Sequence, residues 1–350
     1  MSKKFSSQSK KPGFLNPSTP GLKAPQSRPG LSEEKLIAEM LETVNKLASD
    51  QVSQGELKIL NRALKELRYA FKVFAPYRAI RKASFFGSSR VSEKDPYYQM
   101  AAELGRRLVQ EGFMIITGAG EGIMKAGHEG AGRERSFGAN IRLPFAQEAN
   151  RFIGKDPKLV TFRYFFTRKL VFVKEVDAFV FFPGGFGTHD EAVEVLTLAQ
   201  TGKSQIVPIL LMDLPGKNYW REWERFVHRR MLDNGYISEQ DLNFFKIVED
   251  VSGAVEEIRK FYRNYHSYRY VHGNLVMRLI HPPQASLVER LNREFPDILV
   301  DGPVRLIDPF PEESDEPETL HLPRLLIPFN RRDFGRLRQL IDAVNDPGTI

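Results

Sequence analysis

The chain of 350 residues contains no cysteine, so disulfide bonds and thiolate chemistry are excluded. This fits a reducing compartment, and we expect a cytoplasmic protein. No apolar run approaches the roughly 20 residues that a membrane-spanning helix needs. The N-terminal stretch MSKKFSSQSKKPGFLNPSTPG also lacks the apolar segment of a secretory signal.

Acidic residues are absent from the first 30 positions, which carry six basic residues. Without those six, the 51 basic residues fall to 45 against 44 acidic ones, and the net charge falls from +7 to +1. The basic character therefore belongs to residues 1–30, a Pro/Ser/Gly-rich segment that we predict to be a disordered basic arm. Contact of this arm with nucleic acid or a membrane surface stays open as an alternative. We expect no membrane partner and do not expect nucleic acid as the main partner.

Metal-binding spacings are also missing, since the seven histidines form no H-E-x-x-H and no paired arrangement. We predict no metal and no cofactor. His128, in the stretch HEG, is expected on an exposed helix surface. His189 is likewise expected to be exposed rather than to act as a ligand.

The order of elements predicts an α/β protein with additions at both ends. Residues 31–78 have a helical pattern, with apolar residues at 36, 40, 44 and 47 on one face. Residues 79–266 alternate six short apolar strands with amphipathic helices, which predicts a doubly wound parallel sheet covered on both faces. Residues 267–350 read as β-α-β-β-α, a small α+β subdomain for dimerisation or regulation.

The stretch PGGFGTHDE contains the most informative motif. Gly184, Gly185 and Gly187 leave backbone N–H groups uncovered, directly before a helix predicted to begin at Thr188. Free N–H groups at the positive end of a helix dipole bind phosphate. The alternative is a capping box, in which Glu191 bonds the Thr188 amide and does no chemistry.

Helical periodicity separates the two acids of this motif. Asp190 shares a polar face with Glu194 and Thr197, whereas Glu191 shares an apolar face with Val195 and Leu198. We therefore expect Glu191 to point into the protein, with a raised pKa beside a bound phosphate. Such a carboxylate needs a cation, and the preceding helix offers Arg168 and Lys169. The alternative for these two is a solvated helix face.

Two further glycine motifs invite nucleotide-binding interpretations that their spacing does not support. In TGAGEG the third glycine of a dinucleotide motif would fall at Ile123, and the following strand has Asn140 in place of an acid. A turn at Gly118 and Gly120 that lets a substrate approach the backbone fits better. TGKS lacks the first glycine of a P-loop and is typical of a helix end.

The combination TRK…PGGFGTHDE resembles the signature of the LONELY GUY-type phosphoribohydrolases, a family often labelled "possible lysine decarboxylase". The resemblance extends over about residues 80–260, through FFGSSR, AAELGRRLVQEG, TGAGEGIMKAGHEGA, NIRLPFAQEAN and AVEVLTLAQTGK. One departure is Ala119, where many members have a third consecutive glycine. A decarboxylase of this kind needs a lysine that forms a Schiff base with pyridoxal phosphate and residues that bind its ring. No such arrangement is recognisable in the sequence, so decarboxylation has no support.

The resemblance implies a modified Rossmann fold that forms a homodimer or a higher homo-oligomer. It implies hydrolysis of the N-glycosidic bond of nucleoside 5′-monophosphates such as AMP, giving free base and ribose 5-phosphate. Arg168 and Glu191 take the catalytic positions. The implied substrate contacts are Lys169, Gly184, Gly185, Phe186, Gly187, Thr188, Ser88, Ser89, Gly118, Gly120 and Glu148. The alternative is a non-catalytic carrier of a phosphorylated nucleotide or a molybdenum-cofactor-like ligand.

Overall fold

The computed structural model of the chain describes residues 32–144 and 148–347. The basic arm predicted over residues 1–30 lies outside these ranges. Within them, no helix has both the length and the apolar character needed to cross a membrane.

A seven-stranded parallel sheet forms the centre of the protein, with the strand order β4-β3-β2-β1-β5-β6-β7. The strands are β1 Lys82–Phe86, β2 Met114–Thr117, β3 Ser136–Ile141, β4 Leu159–Phe162, β5 Ala178–Phe181, β6 Ile209–Met212 and β7 Phe245–Val248. The helices that flank it are α3 Pro96–Gln110, α4 Ile123–Ala131, α5 Phe165–Glu175, α6 Phe186–Gln200, α7 Tyr219–Phe226 and α8 Val251–Phe261. The predicted doubly wound parallel sheet is confirmed.

One strand of this sheet was not predicted. Strand β4 has only four residues, LVTF, and it lies at the edge of the sheet beside β3. An edge strand of this length carries too little alternation to be recognised from its pattern. Six predicted strands therefore become seven.

The strand order reverses at β1, which lies between β2 and β5. Ligands of open α/β sheets bind beyond the carboxyl ends of the strands at such a switch point. The predicted glycine turns after residues 87, 117 and 183 follow β1, β2 and β5, so all three meet at this crevice.

A separate antiparallel sheet has the order β10-β11-β9-β8 and is accompanied by two helices. Its elements are β8 Tyr265–Val271, β9 Asn274–Leu279, α9 Ala285–Glu294, β10 Arg305–Ile307, β11 Arg324–Ile327 and α10 Phe334–Val344. The predicted β-α-β-β-α pattern was one strand short. His272 and Gly273 adopt φ values of 49° and 86° and make a tight turn, so the expected first strand is a hairpin.

The N-terminal region forms two helices, α1 Glu33–Ser49 and α2 Gln54–Phe74. Helix α2 begins with a capping box between Ser53 and Glu56, and it buries Ala70 and Phe74 near its C-terminal end. Helix α1 is formed as predicted, but none of its residues is buried.

Candidate active site

The glycine turn after β5 leads directly into helix α6. Gly185 is the N-cap residue, and its carbonyl accepts hydrogen bonds from the amides of Thr188 and His189 at 3.0 and 3.2 Å. The helix therefore begins at Phe186, two residues earlier than predicted. The capping box between Thr188 and Glu191 is not formed, because Thr188 already lies inside the first turn.

The glycines of this turn serve two different needs. A Cβ atom on Gly184 would lie 2.1 Å from Thr188 Oγ1 and 3.0 Å from the Ser88 nitrogen, so this position requires glycine for close packing. A Cβ atom on Gly185 or Gly187 would meet nothing within 4 Å. These two positions leave open space beside the N–H groups of Phe186 and Gly187, which have no hydrogen-bond partner among the described residues. Phe186, between them, is 96% exposed.

Neighbouring loops hold the turn in place from two sides. The Ser88 amide donates to Pro183 O at 3.0 Å, which joins the loops after β1 and β5. The Tyr219 hydroxyl donates to Gly184 O at 2.5 Å and accepts from His189 Nε2 at 2.7 Å. His189 is half-buried rather than exposed, and burial lowers its pKa.

Arg168 and Glu191 form a buried ion pair at the centre of this region. Arg168 Nη2 lies 2.9 Å from Glu191 Oε1, and their side chains are 11% and 4% exposed. The guanidinium carbon lies 5.3 and 5.7 Å from the ring centroids of Phe165 and Phe172. Burial raises the pKa of Glu191, while the charge and hydrogen bond of Arg168 oppose this shift. As helical periodicity predicts, Glu191 points inward and Asp190 is exposed.

Lys169 lies among three carboxylates. Its Nζ is 2.9 Å from Asp190 and 3.8 Å from Glu191, and it also binds Glu194. Burial lowers the pKa of Lys169, but the hydrogen bonds to Glu194 and Asp190 outweigh it and raise the pKa overall. Lys169 is therefore cationic, and it stabilises the ionised form of Glu191.

The loop after β2 approaches the same ion pair. A Cβ atom on Gly118 would lie 3.9 Å from Arg168 Nη1, which places this turn beside the guanidinium. Ala119 adopts the left-handed φ of 62°, where the resembled family often has glycine. Gly122 packs so closely on Ser88 and Ser89 that a Cβ would lie 2.3 Å from Ser88 O. The loops after β1 and β2 are thereby in direct contact.

A buried polar network formed by Asn150 and His128 holds the 118–120 turn in place through hydrogen bonds. Asn150 donates through Nδ2 to the carbonyls of Ala119 and Gly120 at 3.2 and 2.9 Å. His128 Nε2 donates to Phe137 O at 2.9 Å, and its Nδ1 accepts from Asn150 at 3.2 Å. Burial lowers the pKa of His128 to about 4, so the ring is neutral at pH 7. The prediction of an exposed His128 was wrong, and neither this residue nor Asn150 was recognised as a part of the site.

His128 is buried because glycines bring α3 close to α4. A Cβ on Gly130 would lie 1.9 Å from Ala102 O, and a Cβ on Gly105 would lie 2.9 Å from Gly127 O. Helix α4 is consequently enclosed between α3 and the sheet. The small residues in AGHEGAG are the signal of this packing in the sequence.

The structure brings most of the predicted site residues to one crevice. The loops and helix starts that surround the Arg168–Glu191 pair contain Lys169, Gly184, Gly185, Gly187, Thr188, Ser88, Ser89, Gly118 and Gly120. Glu148 is exposed and makes no hydrogen bond or ion pair with any described residue. Phe186 extends into open space. In residues 32–144 and 148–347, no cluster of three or more metal-ligating side chains is formed.

The sequence model of the family described as "possible lysine decarboxylase" matches residues 118–258. The cytokinin riboside 5′-monophosphate phosphoribohydrolase LOG7 of Arabidopsis thaliana is 32% identical over 182 residues, which are 50% of this chain and 78% of the plant protein. A probable enzyme of the same name from Oryza sativa, LOGL5, is 29% identical over 163 residues, or 45% and 63% of the two chains. Among solved structures, the molybdenum cofactor carrier protein of Chlamydomonas reinhardtii is 18% identical, with 52% and 97% of the two chains covered and a TM-score of 0.35.

Residues 118–258, which the family model matches, contain the glycine turn and the ion pair. The match to the Arabidopsis protein covers more than three quarters of that enzyme at more than 30% identity. The chain therefore belongs to the LONELY GUY-type family, whose named relatives are nucleotide phosphoribohydrolases and whose family description is "possible lysine decarboxylase".

Proposed function

We propose that the protein hydrolyses the N-glycosidic bond of nucleoside 5′-monophosphates, releasing free base and ribose 5-phosphate. The observation that carries this proposal is the buried Arg168–Glu191 pair, 2.9 Å apart, next to an open glycine turn at the start of α6. The family model matches residues 118–258, which contain both features, and the similar plant proteins are named as phosphoribohydrolases.

The 5′-phosphate binds at the N-terminus of α6. Gly185 and Gly187 have no side chains to block it, and the N–H groups of Phe186 and Gly187 have no hydrogen-bond partner among the described residues. The helix dipole adds attraction for the anion. Binding energy from the phosphate, which does not react, then positions the ribose against the catalytic residues.

Glu191 acts on the sugar. Its carboxylate can stabilise the positive charge that develops on the ribose as the bond to the base breaks, and it can accept a proton from the attacking water. The departing base takes up one proton, so the overall reaction consumes one water for each N-glycosidic bond broken. A raised pKa suits this second role, because a base works best when its pKa approaches the working pH. Arg168 and Lys169 offset part of the negative charge of the phosphate and the carboxylates.

The experiment is a panel of nucleoside 5′-monophosphates incubated with the full chain. Chromatography would measure free base, and a colorimetric assay would measure ribose 5-phosphate. We expect both products in equal amounts from at least one nucleotide of the panel. Intact nucleotide that co-elutes with the protein would contradict hydrolysis and would indicate the carrier function instead.

A second panel, made of the corresponding nucleosides without the 5′-phosphate, tests the role of the phosphate. If the glycine turn binds the 5′-phosphate, nucleosides without it should be much poorer substrates. Equal turnover of adenosine and AMP would contradict the assignment of the turn.

A further inference from the structure

Helix α1 carries an apolar stripe that the described part of its own chain does not cover. Leu36, Ile37, Met40, Leu41 and Val44 are between 41% and 60% exposed. A helix of this kind gains most of its stability from packing an apolar face, and alone in water it is marginal. We therefore expect the apolar stripe of α1 to be covered by another surface.

Helix α2 carries a second exposed stripe. Leu57, Leu60, Leu64 and Phe71 recur at intervals of three, four and seven residues, so they share one face. All four are exposed. This face is distinct from the one that packs on the α/β body through Ala70.

The short connection between the helices does not bring the stripes together. Only residues 50–53 separate α1 from α2, yet α1 buries nothing. Both helix ends at this junction are capped, by the Asp50 amide bonded to Lys46 O at 3.0 Å and by the Ser53–Glu56 capping box. The junction is thus well defined, and it leaves both stripes open.

The two helices have opposite charge. Helix α1 has four glutamates against two lysines, a net charge of −2, and α2 has five basic residues against two glutamates, a net charge of +3. Apolar stripes flanked by complementary charges are the usual elements of helix pairing between chains. A second copy of the chain supplies both partners at once, since each α1 can meet the other's α2 about a two-fold axis.

We propose that the α1 stripe packs against the α2 stripe of a second copy, reciprocally, and so forms the contact of a homodimer. The two stripes together contain nine large apolar side chains that are at least 36% exposed, enough for the core of an interface that typically involves 20–30 residues on each side. Both helices lie outside residues 118–258, which the family model matches. The proposal concerns assembly and does not depend on the proposed reaction.

This contact would also affect the candidate active site, because α2 is hydrogen-bonded to the start of α5 and to the residues just before it. Glu66 of α2 is buried and accepts hydrogen bonds from the Thr167 hydroxyl at 2.7 Å and the Arg163 amide at 2.8 Å. Thr167 directly precedes Arg168 on α5. An α2 helix braced by the second copy would therefore also brace the first turn of the helix that carries Arg168.

The absence of cysteine allows a direct test by site-specific cross-linking. Met40→Cys with an affinity tag and Leu60→Cys without one would be co-expressed and treated with a bismaleimide. We expect a mixed tagged–untagged adduct on denaturing gels. Glu42→Cys and Lys58→Cys, each two residues away and on the opposite side of its helix, are the matched controls and should give little adduct.

Two results would overturn the proposal. One is an adduct no stronger than that of the control pair. The other is a link that forms only within a single chain of the Met40→Cys, Leu60→Cys double variant, as mass spectrometry would show; the two helices would then form an ordinary intramolecular hairpin. Adding Val44→Glu to the Met40→Cys chain should reduce the mixed adduct to the control level, and unchanged helicity by circular dichroism would show that the chain still folds.

Discussion

At the scale of single residues, the pKa of Glu191 is shifted in opposite directions by burial and by neighbouring cations. Burial raises its pKa, and Arg168 and then Lys169 lower it, with the net shift upward from the ordinary value of 4.5. A carboxyl group with a raised pKa loses its charge at a higher pH than a free one. The acid side of the pH–rate profile should therefore report this group and its neighbours.

Replacing Lys169 tests this balance. Lys169→Met removes a cation 3.8 Å from Glu191 Oε2, so the carboxylate is less stabilised and its pKa rises further. The acid limb of kcat/KM should shift to higher pH, measured from initial rates between pH 4 and pH 8. Lys174→Met, which removes an exposed cation from the same helix, is the control. A limb that stays in place or moves to lower pH in Lys169→Met would contradict the assignment of the limb to Glu191.

The buried His128 predicts a pH dependence of stability. Its pKa is lowered from 6.5 to about 4, so the unfolded chain binds the proton more tightly, and stability falls as the pH drops through this range. The loss between pH 7 and pH 5 should be about 2 kcal/mol in the free energy of unfolding. Urea unfolding at both pH values measures it. His128→Gln, which can still bond Phe137 and Asn150, should have a smaller loss; an equal loss would assign the effect to other groups.

Single residues also show what the pattern could predict. The separation of Asp190 from Glu191 follows from the helical repeat and is correct. The burial of His128 was missed, because it depends on the close approach of α3 and α4 in the folded protein. The same holds for Asn150, whose sequence neighbourhood gives no signal of its contact with the 118–120 turn.

At the scale of elements, the start of α6 offers a contrast between two glycines. Gly184→Ala should destabilise the protein by about 1–3 kcal/mol, because its Cβ would collide with Thr188 Oγ1 and crowd the Ser88 amide. Gly185→Ala meets no atom within 4 Å and should cost only about 1 kcal/mol, the usual penalty for alanine at an N-cap. Thermal unfolding compares the two variants.

The Gly185→Ala variant also tests whether the glycine turn binds the phosphate. The methyl group of Gly185→Ala would occupy the open side of the turn, so KM for the nucleotide should rise several-fold in a protein that is still folded. A KM equal to that of the unchanged protein would place the phosphate elsewhere.

Elements also mark the limits of prediction from sequence. Long amphipathic helices and the strands that precede glycine turns were identified correctly. Strand β4 was missed because four residues at a sheet edge show little alternation. The β8–β9 hairpin was missed because its turn uses His272 in a left-handed conformation that L-residues seldom adopt.

At the scale of the whole molecule, the parallel sheet determines where the chemistry can occur. The order β2-β1-β5 places three glycine turns at one crevice, and helices α5 and α6 bring Arg168 and Glu191 to it from different parts of the chain. The sequence indicated the α/β core because short apolar strands alternate clearly with amphipathic helices over residues 79–266. It could not indicate how the stripes of α1 and α2 are covered, since an apolar pattern does not specify its partner.

The most direct test of the proposed mechanism separates binding from turnover in Glu191→Gln. This variant keeps the shape of the side chain and can still accept a hydrogen bond from Arg168. It should bind the preferred nucleotide in calorimetry, while base release falls on the order of 10²-fold or more. Glu318→Gln, an exposed glutamate of the C-terminal region, should remain fully active. Base release by Glu191→Gln at the rate of the unchanged protein would contradict the mechanism.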